Sequence, residues 1–292
     1  MIISQDWLYK GWTELWCDGD AIDRLYDEGM LPPDDYAFTP NEFAILKNPE
    51  KPSHSAIARY NSQSCRLLPL RSMGVRPWGV EPLNAGQTML LDLLLDPEIK
   101  LVTSPSPAGT GKNVLAFAAG LHQVVEEKTY EHMIVYKPIV PVGRDLGYLP
   151  GELKDKLAPY HASSYGTLDF IFSRNRRVSK LSHDYLESAG VLELSSLTYI
   201  RGLSLPRRFI IIDEAQNIDI KILKTALTRA AEGTKVVLLG HPGQIDEAAR
   251  LTPQQCGIAQ ATGKFVGQPI FGTVTLTQCV RSELARLADT LL

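Results

Sequence analysis

The sequence predicts an α/β fold: a mainly parallel sheet flanked by helices, preceded by a small β-rich N-terminal module. Three observations carry this expectation. From residue 76 onward, Leu-rich amphipathic segments alternate with short aliphatic runs, the pattern of strands and crossover helices. Two of those runs stop abruptly at polar or glycine-rich sequence, one before Pro107-Ala-Gly-Thr-Gly-Lys112 and one at Asp213-Glu214. Residues 1–75 lack the alternation and show short β-prone runs separated by turn residues. The expected division is therefore 1–75 for the β-rich module and 76–292 for the α/β domain.

A chain of 292 residues can bury one large core with a smaller appendage. Its net charge of -3 excludes a uniformly basic coat for nucleic acid and leaves room for a local basic strip. Cys17, Cys65, Cys256 and Cys279 are scattered, with no C-x-x-C pair, so neither a zinc site nor a disulfide framework is indicated. Reduced thiols and a cytoplasmic location are expected. The opening residues lack a basic and apolar leader, and no run approaches about 18 apolar residues, so no membrane partner is expected.

In the N-terminal module, Gly11–Cys17, Phe43–Lys47 and Cys65–Leu70 are expected strands, and Ala21–Glu28 a short helix closed by Gly29. Trp7, Trp12 and Trp16 fit either the core of this module or a base-stacking surface, the core being the commoner use. Gln87–Leu95 is the first expected helix of the α/β domain. The runs Ile99–Val102, Met133–Tyr136, Leu192–Leu197, Phe209–Ile212, Lys235–Leu239 and Val274–Leu276 supply up to six strands.

The run Leu101-Val-Thr-Ser-Pro-Ser-Pro-Ala-Gly-Thr-Gly-Lys-Asn113 reads as a strand, a glycine-containing turn and the start of a helix, the geometry of a phosphate-binding loop. Gly109 and Gly111 allow successive N–H groups to turn inward, and Lys112 adds a mobile cation. The following helix would aim its N-terminal dipole at the same anion. Against the spacing G-x-x-x-x-G-K-[ST], Ser106 stands where the first Gly belongs and Asn113 where the Mg²⁺-binding hydroxyl belongs. Taken alone, the loop could also be a tight turn without a ligand.

Arg208-Phe-Ile-Ile-Ile-Asp-Glu-Ala-Gln-Asn217 is the strongest local signal, because a buried strand ends in two carboxylates. At the carboxyl end of a parallel sheet Asp213 would face the phosphate loop and hold Mg²⁺, directly or through water. Glu214 would then orient and deprotonate an attacking water. Gln244, just past the run Lys235–Leu239, suits a γ-phosphate sensor or an ordinary turn. Arg229 and Arg281 are candidate cations for transferred phosphate charge, in their own chain or across a subunit boundary. Arg174-Asn-Arg-Arg177 with Lys180 is the one local basic cluster; it fits phosphates of single-stranded RNA or a solvated loop.

Together these features resemble the PhoH-like family of P-loop ATPases, whose RecA-like core is shared with superfamily-one helicases. The resemblance rests on Pro107–Lys112, Lys137-Pro-Ile-Val-Pro-Val-Gly143, Leu146-Gly-Tyr-Leu-Pro-Gly-Glu-Leu153 with Lys156, Tyr199-Ile-Arg-Gly202, Ile212-Asp-Glu-Ala-Gln-Asn217, Leu227-Thr-Arg229, Gln244-Ile-Asp246 and Arg281-Ser-Glu-Leu284. It covers roughly residues 78–292. It implies binding of ATP or ADP with Mg²⁺ through Ser106, Pro107, Ala108, Gly109, Thr110, Gly111, Lys112, Asn113 and Val114, with Asn84 and Gln87 on the adenine side. An RNA partner and a homohexameric ring are implied as well. The nearest likeness is to the branch in which the ATPase follows a PIN ribonuclease domain; the four-carboxylate nuclease has no counterpart in this sequence, and no such nuclease activity is expected of it.

Four residues depart from the family pattern. Ser106 replaces Gly, Asn113 replaces Thr, Lys137 replaces Arg, and His241 replaces the Asp of Gly-Asp-x-x-Gln. Two readings follow: an ATP-hydrolysing, RNA-associated motor, or a nucleotide-stabilised oligomeric scaffold with little turnover, which Asn113 and His241 favour. Phosphotransfer to a small acceptor suits Glu214 less well than water activation.

Overall fold

Short strands alternating with turns build the N-terminal module, as the sequence pattern predicts. The computed structural model describes residues 7–33, 36–139, 158–174 and 182–280. In the first sheet β1 (Trp12–Trp16), β2 (Phe43–Lys47), β3 (Ser55–Asn61) and β4 (Arg66–Pro69) lie in that order, with β1 and β2 parallel and the other pairs antiparallel. The parallel step needs a crossover, which contains α1 (Gly19–Glu28). Asp18 caps α1 by accepting from the Ala21 N–H at 2.7 Å, and Gly29, at φ 72, ends it. Ile22 and Leu25 are buried against Ala44, Leu46, Ala56, Ala58 and Leu67. Strand β3 is an addition to the expected set. Its inward residues Ala56 and Ala58 are small, so the run carries little aliphatic bulk, and pairing with β2 on one side and β4 on the other makes it a strand.

The second sheet holds β5 (Leu101–Pro105), β6 (His132–Lys137), β7 (Leu192–Ser196), β8 (Arg208–Ile212), β9 (Lys235–Gly240) and β10 (Phe271–Thr273) in the order β10-β5-β9-β8-β6-β7. Every pairing in it is parallel. Alternate residues serve opposite faces. Phe209, Ile211, Val237 and Leu239 pack with α2 (Ala85–Leu95), α3 (Lys112–Leu121), α4 (Ala162–Arg174) and α5 (His183–Ser188). Ile210, Ile212, Val236 and Leu238 pack with α6 (Ile220–Leu227) and α7 (Gly257–Phe265). Burial on both faces explains why these strands read as continuous aliphatic runs rather than alternating ones.

The last strand lies earlier than the expected Val274–Leu276. Phe271, Gly272 and Thr273 pair with Leu101, Val102 and Thr103, and Val274 N–H still reaches Thr103 O at 3.1 Å. Beyond that the neighbouring strand ends at Pro105, so side chains take over the pairing. Ser104 Oγ donates to Val274 O at 3.1 Å and Ser106 Oγ accepts from Leu276 N–H at 2.8 Å.

The two sheets meet along this edge. Thr275 N–H donates to Lys10 O at 3.0 Å, the Trp12 indole donates to Thr275 O at 3.1 Å, and Asn41 Nδ2 donates to the carbonyls of Pro269 and Phe271 at 2.8 and 2.9 Å. Gly11 is required there, since a Cβ would stand 1.8 Å from Thr273 O. Arg59 on β3 pairs with Asp92 at 2.9 Å and with Asp96, both at the end of α2. Of the three N-terminal tryptophans, Trp12 packs against the larger core while Trp7 and Trp16 are exposed.

Candidate nucleotide-binding site

The parallel register brings three loops to one edge of the second sheet. Pro105 lies opposite Gly240, and Ile212 opposite Leu238, so the loops after β5, β9 and β8 leave together at the carboxyl ends of their strands. Because β9 separates β5 from β8, the loop at 106–111 and the pair Asp213-Glu214 are about 10 Å apart, twice the strand spacing. That gap suits a phosphate chain with its metal.

The loop is held from within and from behind. Gly109 and Gly111 have φ 74 and φ 87, the left-handed values their lack of Cβ permits. Thr110 Oγ1 and Lys112 Nζ both donate to Pro107 O, at 2.9 and 3.2 Å, which draws the turn closed. Ser106 is fully buried. Besides binding Leu276 N–H, its hydroxyl shares a 2.9 Å hydrogen bond with Ser104 Oγ, and its N–H reaches Gly240 O at 2.9 Å. Pro107, Ala108 and Gly109 remain half-buried, as do Lys112, Asn113 and Val114 at the start of α3, so this stretch borders solvent. Val280 N–H bonds Gly109 O at 2.9 Å and brings the chain that leads to Arg281 alongside the loop. Arg281 itself, residues 140–157 with the Leu146–Leu153 block, and Asn175–Lys180 lie outside the described residues.

Asn84 and Gln87 enter the site from α2. Asn84 is the N-cap of that helix, its Oδ1 accepting from Gln87 N–H at 3.0 Å. Gln87 is buried, and its amide donates to Thr110 O while accepting from Leu83 N–H, both at 2.8 Å.

At the end of β8, Asp213 is 2% exposed. Its Oδ1 accepts from Glu214 N–H at 3.0 Å, while Oδ2 has no hydrogen-bond partner and faces Lys137 Nζ at 3.1 Å. Asp213 Oδ2, which makes no hydrogen bond, could ligate a divalent metal ion in place of its Lys137 contact, and Asn113 could add an amide oxygen from the start of α3. Among the described residues no group of three His, Cys, Asp or Glu side chains is placed to hold a metal. The donor set therefore suits an ion bound chiefly by phosphate and water oxygens. Glu214 adopts the left-handed region at φ 55, a strained setting for a residue with a Cβ. Its exposed carboxylate is oriented by Gln216 Nε2 at 2.7 Å.

Gln216, Ser163 and His161 are the site residues that sequence reasoning missed. The buried Gln216 amide also donates to Gln244 O at 3.1 Å and accepts from His241 N–H at 3.2 Å, so one side chain joins the exits of β8 and β9. Gly240 makes room for it, since a Cβ there would lie 2.3 Å from Gln216 Oε1. Its signal was present in Asp-Glu-Ala-Gln, without a partner to give it meaning. Lys137, where the family pattern has Arg, donates to Ser163 Oγ at 2.5 Å. Buried His161 donates through Nε2 to Ser195 O at 3.2 Å, and burial together with the Lys137 charge holds its pKa below the usual histidine value.

Gln244 stands exposed in the turn after β9, held by its backbone carbonyl. Arg229 is not brought to the loop. It follows α6, which runs back along the sheet, and its carbonyl accepts from Leu205 N–H near the start of β8. About 17 Å of strand separates that edge from Asp213. A neighbouring cavity of about 290 Å³, lined by Pro138, Ile139, Leu197, Ile218 and Ile222, opens beyond β6 and β8 and contains none of the loop residues.

The family described as PhoH-like protein matches residues 79–291. The chain is 41% identical over 294 residues to Protein PhoH2 of Bacillus subtilis (strain 168), covering 100% of this chain and 66% of that protein. It is 34% identical over 301 residues to Protein PhoH2 of Mycolicibacterium smegmatis, covering 99% and 64%. The chain thus spans somewhat less than two thirds of each of these relatives. Among solved structures, the large terminase of the thermophilic bacteriophage D6E is similar over 72% of this chain and 50% of that one, with TM-score 0.44 and 10% identity. Unliganded Pif1 from Bacteroides sp is similar over 72% and 45%, with TM-score 0.31 and 17% identity.

Proposed function

The chain belongs to the PhoH family, and from that premise we propose that it binds ATP with Mg²⁺ at residues 106–114 and hydrolyses it to act on single-stranded RNA. One observation supports this above the others: the closed glycine loop and the Asp213-Glu214 pair leave the same sheet edge with a single strand between them. Lys112 and the N–H groups of the loop bind the β- and γ-phosphates. Asp213 and Asn113 would hold Mg²⁺, which when bound supplies positive charge to the phosphate oxygens. Glu214, oriented by Gln216, takes the proton of the attacking water, and Gln244 in the adjoining turn senses the γ-phosphate. Arg229, at the far edge of its own sheet, could serve a site only in a neighbouring subunit, which accords with a ring-shaped homo-oligomer; Arg281 has the same role in this reading.

A second reading, a nucleotide-stabilised scaffold with little turnover, is favoured by two specific features. Asn113 offers the metal a neutral amide, and Lys137 already neutralises Asp213 at 3.1 Å. Steady-state ATP hydrolysis with and without single-stranded RNA separates the readings. Turnover stimulated by RNA, reduced at least about 100-fold in Glu214→Gln, is expected for the motor. Turnover no greater than that of Lys112→Ala, with ATP still bound, leaves the scaffold. A gain in Asn113→Thr would locate the deficit at the metal.

A further inference from the structure

The cavity beyond β6 and β8 takes no part in the proposed nucleotide site, yet two of its walls continue that site's loops. Pro138 and Ile139 follow directly on Lys137, which faces Asp213 at 3.1 Å, and Asn217 with Ile218 closes the loop that Asp213 and Glu214 open. The remaining walls include Ile222 on α6 and Leu197 at the exit of β7. The hollow measures about 290 Å³, at the small end of ligand cavities, and its floor is mostly aliphatic. Such a floor offers water few partners, so a flat apolar group gains by replacing it.

The rim is of another kind. Arg201, after β7, and Thr225, on α6, both line the cavity, and Lys221 stands one turn before Thr225 on the same side of α6, its carbonyl accepting from Thr225 Oγ1 at 2.9 Å. Arg201 and Lys221 are exposed, and Tyr199 in the turn after β7 is 49% exposed. Two acids beside the cavity are engaged: Asp219 Oδ1 caps α6 by accepting from Ile222 N–H at 2.8 Å, and Asp246 Oδ2 accepts from Asn217 Nδ2 at 2.7 Å. Cations over an aliphatic floor complement a nucleotide of a single strand, which carries a flat ring on an anionic backbone. Tyr and Arg are also side chains on which unstacked bases settle. We propose that this cavity receives one unstacked base of the single-stranded RNA, with Arg201 and Lys221 on the flanking phosphates. The proposal rests on the RNA reading above and goes beyond it in giving the strand a place to bind. A base seated there touches both loops at the metal end of the nucleotide site, which gives RNA a route to stimulate turnover.

The test measures, by fluorescence anisotropy, the binding of labelled oligouridine and of an abasic strand of the same length and backbone to wild type, Thr225→Trp, which fills the cavity, and Arg201→Ala. Thr225→Trp is expected to weaken oligouridine about tenfold, equivalent to about 1.4 kcal/mol, and to leave the abasic strand unchanged. Arg201→Ala should weaken both strands and lower the slope of log affinity against log salt by about 0.7, the share of one phosphate. Basal ATP turnover should stay at the wild-type value in Thr225→Trp, while stimulation needs correspondingly more oligouridine. Unchanged oligouridine affinity in Thr225→Trp, or an equal loss for the abasic strand, overturns the proposal and leaves the RNA reading standing. So does a lower molecular mass by light scattering with RNA affinity intact, which makes this face a contact between copies. If Thr225→Trp does not fold, Ile222→Gln puts a neutral polar group on the exposed wall and must show the same selective loss. A wild-type protein that binds neither strand and shows no response to RNA in turnover removes the RNA reading itself, and the cavity's role with it.

Discussion

Ser106 turns a departure from the family pattern into a structural contact. Its hydroxyl accepts from the buried Leu276 N–H and meets Ser104 Oγ, so the loop and the segment after β10 are joined by side chains where Pro105 can donate nothing to the ladder. Glycine at this position would leave that N–H without its partner. An unsatisfied buried donor costs about 1–3 kcal/mol. Ser106→Ala is accordingly expected to lower the free energy of unfolding by that amount, with an unchanged denaturant slope, in urea titrations followed by circular dichroism. Gln216 makes the same point for the chemistry. Glu214 alone is an exposed carboxylate, and the amide two residues on gives it a fixed direction while tying it to the turn that carries Gln244.

Among the elements, α2 and β9 depend on each other through a lysine in an otherwise aliphatic strand. Lys235 is fully buried beneath the last turn of α2, where carbonyls without intrahelical partners and the negative end of the helix dipole receive it. Burial pulls its pKa down from 10.5 to about 7, against the opposing charge of Asp96. Between those values the unfolded chain binds a proton that the folded chain does not, so this group makes stability rise with pH across that window. The unfolding free energy is expected to climb from pH 7 to 9 in chemical denaturation, and Lys235→Met should remove the climb. The same substitution orphans the three carbonyls served by the ammonium, or two of them once the amine is neutral, so it should also lower stability on both sides of pH 7, by about 1–3 kcal/mol for each one left without water.

For the whole molecule, the N-terminal sheet and the parallel sheet share polar and apolar contacts of the kind found inside one core. Phe43 and Leu70 are buried in the larger core, and Arg59 reaches across to Asp92 and Asp96. Burial alone would raise the pKa of Asp96, and the Arg59 charge overcomes this and holds it below the usual carboxylate value. Arg59→Met leaves two carboxylates buried without their cation, at a cost of about 3–5 kcal/mol. A lower melting temperature is expected, with tryptophan fluorescence, from Trp12 and Trp16 of the first sheet and Trp78 of the larger core, and far-ultraviolet ellipticity from the helices falling in one transition. Two separate transitions would mean that the sheets unfold independently.

The sequence by itself determined the elements that carry strong local signals. Aliphatic runs long enough to be buried on both faces marked β5, β6, β8 and β9, the glycines and Lys112 marked the loop, and Asp213-Glu214 stood out because a buried strand rarely ends in two charges. What escaped it depends on partners far along the chain. Strand β3 carries alanines at its inward positions and exists by pairing; β10 lies ahead of Val274–Leu276 because Pro105 cuts short the neighbouring ladder. Likewise a glutamine amide looks the same in sequence whether it faces a base or a carbonyl, and an arginine after a helix does not say which edge of the sheet it reaches. Those choices were made only by the tertiary structure, because hydrogen bonds act over about 3 Å. Thr110 lies beside Gln87 because α2 packs against the loop, and Arg229 lies far from Asp213 because α6 ends near the opposite end of β8.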